Sequence, residues 1–245
     1  MLTIHRVRGV RRVHEGPLDP GHAVQAVVVD GARIAAIGPY EELAATYGLS
    51  VDDAEDVEGA EDAGDAGDAG EESTVRGRVR LREWDGVLTP GRHEPDGRAF
   101  LEAAYHPDPR EADELGTEPI TGEALAALGM TEMRWGASAR RGLQRLLASG
   151  TTALTGPFTR PAVRTAVQRS GLDVLSDPGS GSSPDPGSSS GLGSGPGPRA
   201  LAPGGVATFA VFADDGTALA TVLAGRLVHR RPRPASPSPP FRHSL

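Results

Sequence analysis

Between Gly86 and His106 the sequence gathers the side chains best suited to chemistry: His93, Glu94, Asp96 and His106, set among Arg92, Arg98 and several Pro and Gly residues. Imidazole nitrogens and carboxylate oxygens are common ligands of zinc and related ions, so these four are the candidate metal set. Such a set needs three or four convergent donors held by a supporting shell. The Pro- and Gly-rich stretch offers no evident rigid support, so the competing reading is four exposed loop residues. Glu94 and Asp96 also form a two-carboxylate pair of the kind used in acid and base work, although adjacent acidic residues are common on any surface. Anion binding is the second chemistry available. Arginines cluster at Arg6, Arg8, Arg11 and Arg12, at Arg76 to Arg82, and at Arg230, Arg231 and Arg233, and a paired sheet could bring them onto one phosphate-binding face. Nucleic-acid readers usually add aromatic platforms or a recognisable motif. Here a long acidic segment leaves the same sheet, so the arginines read as the solvated outer face of strands.

Composition removes several other chemistries. All 25 basic residues are Arg, and there is no Cys. Lysine Schiff bases, a P-loop lysine, a carbamylated lysine between two metals, thiol nucleophiles and thiolate metal sites are therefore excluded. Only 38% of the 245 residues are hydrophobic and 4% aromatic, with 33 Gly and 21 Pro, so much of the chain cannot lie in a core. The net charge of −8 is local, because eleven acidic residues and no basic one fall between Asp52 and Glu72, leaving +3 for the remainder. No apolar run is long enough to span a bilayer, and Met1 to Arg6 lacks the apolar core of a signal peptide, which makes the cytoplasm the expected location.

The elements that must position these residues can be read from pattern. Branched residues mark strands at Leu2 to Arg8 and Val24 to Val29, with Asp30-Gly31 as a hairpin turn. Tyr40 to Tyr47 reads as a helix stopped by Gly48. Val75 to Trp84 alternates with period two and places Arg76, Arg78, Arg80 and Arg82 on one face. Trp84 breaks the parity of Leu81, so a bulge near Gly77 or at the strand end is expected. Thr121 to Ser149 carries Leu125, Leu128, Leu143, Leu146 and Leu147 at helical spacings, interrupted around Gly129 and Gly136. A strand at Thr151 to Leu154 and a helix from Arg160 to Ser170 follow. Val206 to Phe212 and Leu219 to Arg230 are strands joined by Asp214-Asp215-Gly216. Trp84 and Trp135 read as core anchors.

The acidic loop (52–73), a Ser/Gly/Pro linker (176–200) and a Pro-rich tail (232–245) have compositions that cannot build a core.

Five stretches in order resemble the amidohydrolase superfamily, particularly the composite domain of aminodeoxyfutalosine deaminases and imidazolonepropionase-like proteins. They are Ala26 to Pro39, Trp84 to Gly91, Leu146 to Ala153, Pro203 to Phe212 and Leu223 to Val228. The resemblance implies a small β-domain assembled from both chain ends, with a (β/α)8 barrel between them. It also implies two metal-binding histidines one residue apart on the first barrel strand, and the corresponding places here hold Asp96 and Arg98. A carboxylate can ligate zinc, but a guanidinium has no lone pair to offer and would repel the cation. The family's further ligands, a Lys or Glu and two His with an Asp, have no evident counterparts, since Lys is absent and no His lies between His106 and His229. A complete barrel takes about 250 residues, whereas Arg92 to Leu175 offers 84.

The expected architecture is α+β. A composite β-domain comprises residues 1–91 and 201–231, and a helical insert at 92–175 resembles the first two βα units of a TIM barrel. The expected function is a non-catalytic interaction or scaffold module, with no catalytic, cofactor-binding or metal-binding residues. Its Leu-rich helix faces would meet another protein, such as a full-length amidohydrolase or a second copy, rather than membrane or nucleic acid. The alternative is a metal-dependent hydrolase of non-peptide C–N bonds with an atypical or shared active site.

Overall fold

The computed structural model describes residues 2–14, 16–19, 24–48, 79–176 and 198–232. The acidic loop at 52–73, and nearly all of the linker and tail, fall outside the described residues. The architecture is α+β, with mixed sheets and helices.

The N-terminal strands β1 (Leu2–Val7) and β2 (Gly9–Val10) part company at Arg8 and enter different sheets. In the first sheet β1 pairs antiparallel with β3 (Gln25–Asp30), which turns through Gly31 and Ala32 into β4 (Arg33–Pro39). Gly31 supplies the positive φ of 55° at the expected turn. Helix α1 (Tyr40–Tyr47) follows and ends at Gly48, whose φ of 74° is the left-handed stop read from sequence. On the other side of β1 lies β5 (Arg80–Glu83), paired in parallel.

This sheet is covered on both faces. Ile4, Ala26 and Val28 pack under α1, while Val7, Val27, Val29 and Ile34 pack against the second sheet. The unbroken burial of Gln25-Ala-Val-Val-Val29 follows from that double cover. So does the parity of β5: Leu81 faces the α1 side and Trp84 the other, and no bulge is needed to bury both. Gly77, where a bulge was expected, lies outside the described residues.

The second sheet draws on distant parts of the chain. β6 (Val87–Thr89) sits between β2, in parallel, and β12 (Phe209–Phe212), antiparallel; β13 (Ala218–Leu223) and β14 (Arg226–Arg230) continue outward. The expected single strand from Leu219 to Arg230 is instead a hairpin. Ala224 and Gly225 both adopt positive φ, 46° and 77°, so the chain reverses there. A Cβ on Gly225 would fall 1.8 Å from the Gly31 carbonyl oxygen, which places the two hairpin turns against one another.

The third sheet is all parallel, in the order β11 (Asp173–Ser176), β10 (Thr151–Gly156), β7 (Arg92–Glu94). Helix α5 (Glu132–Ala148) connects β7 to β10, and α6 (Pro161–Ser170) connects β10 to β11, a strand not expected from the sequence. Trp135, Ala139 and Leu143 recur on one side of α5 and are buried with Val163, Ala166 and Val167 of α6. Leu125 and Leu147, partly buried, pack against the same cluster.

Gly136 does not interrupt α5. The break falls at Gly129, with φ of 57°, between α5 and the short α4 (Gly122–Ala127). Between β7 and α4 come α2 (Gly97–Glu102), the paired β8 (Ala104–Tyr105) and β9 (Ile120–Thr121), and α3 (Ala112–Leu115).

Candidate functional site

The stretch Gly86-Val-Leu-Thr-Pro-Gly91 carries the chain from the second sheet into the third, and both of its glycines answer to crowding. A Cβ on Gly86 would lie 2.4 Å from the Phe212 carbonyl oxygen. One on Gly91, whose φ is 95°, would lie 2.4 Å from the Thr152 methyl. Thr152 fills that space and donates its hydroxyl to the Pro90 carbonyl at 2.7 Å, while the Gly91 amide donates to Thr89 Oγ1 at 3.1 Å. These contacts fix where β7 begins.

β7 ends at Glu94, before Pro95, which has no amide hydrogen to continue a ladder. Glu94 Oε1 instead accepts the Asp96 amide at 3.0 Å, and the chain turns into α2. Asp96 is the residue before α2 and Arg98 lies in its first turn, 3.4 Å from the Glu102 carboxylate. Two residues at i and i+2 face the same way on a strand, but these two do not share a strand. The expected pair of seats is absent from β7.

The other candidates are held firmly, which corrects the expectation of unsupported loop residues. His93 lies on β7, half-buried, with Nε2 2.9 Å from Thr155 Oγ1 on β10. Burial holds its imidazole below the ordinary pKa against the opposing pull of Glu94. His106 is fully buried; its Nε2 lies 2.9 Å from the Phe100 carbonyl, and its backbone is gripped by Ser138 and Arg141. Burial lowers its pKa too, opposed by the Phe100 carbonyl and reinforced by Arg145 and Arg141. A neutral ring donating from Nε2 leaves Nδ1 as a lone pair, and Nδ1 has no partner among the described residues. The four candidates thus face different neighbours, and no group of three His, Asp or Glu able to hold a metal occurs among the described residues.

One functional-looking carboxylate was missed. Glu102, with a side chain only 6% exposed, accepts the Thr159 amide at 2.7 Å and the Arg160 amide at 2.6 Å on Oε1, and the Thr159 hydroxyl at 2.8 Å on Oε2. It ties the end of α2 to the start of α6, where Arg160 has no side-chain cap of its own. A shallow cleft of about 650 Å³ opens beside it between Arg98, Glu132 and Arg160. Thr159 lies 57 residues downstream, so spacing gave no signal; the only local hint was an acid directly after Phe100 and Leu101.

Among the described residues, three of the clustered arginines are paired with acids. Arg6 pairs with Glu83, Arg8 with Asp85 at 2.9 Å and Asp214 at 2.6 Å, and Arg12 with Asp19 at 2.6 Å. Arg82 is half-buried beside an exposed Arg80, and burial, Arg80 and Arg230 together hold its guanidinium below the ordinary value. Arg230 stacks over Trp84, whose indole N–H donates to the buried His5 at 3.2 Å. Arg76, Arg78 and Arg233 lie outside the described residues.

Known proteins set this geometry in context. No curated protein matches the chain. Solved structures that resemble it include A. niger ochratoxinase, at 16% identity and a TM-score of 0.40 over 71% of this chain and 31% of that one. An adenosine deaminase from Xanthomonas campestris with bound zinc matches at 14% and 0.39, over 71% and 33%. E. coli guanine deaminase matches at 12% and 0.36, over 72% and 36%. The chain spans about a third of the length of these structures. Residues 26–48, from β3 through α1, match the family model of the imidazolonepropionase-like composite domain of bacteria.

Proposed function

We propose that this chain is an amidohydrolase-like module without a metal site, acting by contact with another protein rather than by catalysis. The observation that carries the reading is the position of Asp96 and Arg98 on the way into α2, with Arg98 beside the Glu102 carboxylate and neither residue on β7. Residues 1–91 and 201–231 form the composite β-domain, and 92–175 are the remnant of a barrel's opening units. The partner is a full-length amidohydrolase or a second copy of this chain, met in the cytoplasm. Among the described residues β7 and β11 each have a strand neighbour on one side only, and Val174 on β11 is 51% exposed. Open parallel edges of this kind are templates for further pairing. No helix among the described residues is long and apolar enough to cross a membrane. The test is metal analysis of the purified chain after dialysis, with its oligomeric state measured on the same sample. Less than a tenth of an equivalent of zinc, iron or manganese is the expected result. A stoichiometric metal would overturn the reading and favour a hydrolase of non-peptide C–N bonds with an atypical or shared site.

A further inference from the structure

A cleft of about 360 Å³ lies at the other end of β7 from Asp96, where the second and third sheets meet. Its walls come from four places: Arg11 and His14 after β2, Thr89 on β6, Gly91 and Arg92 at the start of β7, and the turn after Phe212. Arg92 is fixed within it. Its two terminal nitrogens donate to the Ser149 carbonyl at 3.0 Å and the Gly216 carbonyl at 2.8 Å, and its guanidinium lies 4.7 Å over the Phe212 ring. Every one of those partners is neutral, so they set the orientation of the cation without cancelling its charge.

Arg11 is the complementary case. Its Nε–H is shielded from solvent and has no acceptor among the described residues. Arg6 Nε is in the same condition, so the unpaired atom alone marks no site, and Arg11 counts here as a cation on the wall of the cleft. Among the described residues the one carboxylate lining the cleft, Asp214, is already clamped by Arg8 through both oxygens, at 2.9 and 2.6 Å, which holds its pKa below the ordinary range. The cleft therefore presents two arginines and a histidine around a carboxylate whose charge is spent elsewhere.

We propose that this cleft binds a small molecule through a phosphate group, which Arg11 and Arg92 grip with their N–H donors and His14 approaches from the rim. Guanidinium forks match phosphate oxygens in geometry as well as charge. The volume exceeds that of the phosphate alone, and the remainder of the ligand would lie on the apolar side formed by Val87 and Phe212. This assignment is independent of whether the chain binds a metal or a protein partner.

The experiment is calorimetric titration of the full chain with inorganic phosphate at constant ionic strength, with acetate run in parallel. Saturable one-to-one binding of phosphate is expected, weakened at least tenfold by Arg11→Gln and unchanged by Arg80→Gln, an exposed arginine on β5. Should Arg11→Gln fail to fold, His14→Ala at an exposed position decides instead, with a severalfold loss expected. Absence of saturable phosphate binding, equal weakening by Arg80→Gln, or acetate binding as tightly as phosphate would each overturn the assignment.

Discussion

Removing the Glu102 carboxylate is the sharpest test of how the third sheet and its helices are held together. Hydrogen bonds to a charged acceptor are each worth about 1.5–3 kcal/mol net, and Glu102 accepts two backbone N–H groups and one hydroxyl. Glu102→Ala strands the amides of Thr159 and Arg160 at the start of α6, but the neighbouring cleft lets water reach them. The expected loss is therefore well below the sum of three bonds, at about 3 kcal/mol. Glu102→Gln keeps an oxygen for the two amides and offers its NH₂ to the Thr159 hydroxyl, which can rotate to accept. That variant should lose about 1 kcal/mol, the difference between charged and neutral acceptors. Urea unfolding followed by fluorescence reads both directly if Trp84 is first replaced by Phe. Trp135 then reports alone, from α5, with Arg160 stacked 4.2 Å above its ring. Equal losses for the two variants would show that charge, not bond count, dominates. A loss under about 0.5 kcal/mol for Glu102→Ala, the scale of an ordinary surface substitution, would refute the idea that this carboxylate joins α2 to α6.

Two further perturbations probe the composite sheets. Gly225→Ala should cost more than about 2 kcal/mol, since the new methyl would meet the Gly31 carbonyl oxygen in a turn of positive φ. Gly31→Ala, at φ 55° with open space around it, should cost only about 1 kcal/mol in the same denaturation assay. His5 is held near pKa 3 by burial and, secondarily, by Arg82, against 6.5 when unfolded. The unfolded chain binds the extra proton, so the stability tied to neutral His5 is complete above pH 6.5 and is lost as pH falls toward 3. Between pH 6.5, where the unfolded histidine is half protonated, and pH 4.5 the linked loss amounts to about 2.3 kcal/mol. His5→Gln, which keeps an acceptor for Trp84, should flatten the acid side of the stability profile by about that amount, and superimposable profiles would refute the assignment.

Local chemistry was legible where one residue type answers to one geometry. Asp30-Gly31, the Gly48 helix stop and the Asp214-Asp215-Gly216 turn all appear where the sequence places them, because positive φ or a tight reversal leaves few alternatives. Ala224-Gly225 makes an equally sharp turn but was hidden, since Ala is a poor marker of positive φ. Gly136 misled in the opposite direction. A Cβ there would sit 3.4 Å from that of Ala162, so the glycine answers to how closely α5 and α6 pack and not to a break in the helix.

The candidate site was harder for a related reason. Matching Asp96 and Arg98 to a pair of strand positions presumes that the strand survives past Pro95, whereas it ends one residue earlier and the same side chains enter a helix. Glu102 and Arg11 acquire their settings only from residues brought in by the fold: Thr159 from the next βα unit for one, the Phe212 turn from the far end of the chain for the other. A side chain whose partners are assembled by tertiary structure carries no spacing to be read. For this chain the two features most worth testing, a buried carboxylate staple and a cationic cleft, are both of that kind, and they sit at opposite ends of the third sheet: one helps bind α2 to α6, the other lies where β7 leaves the second sheet.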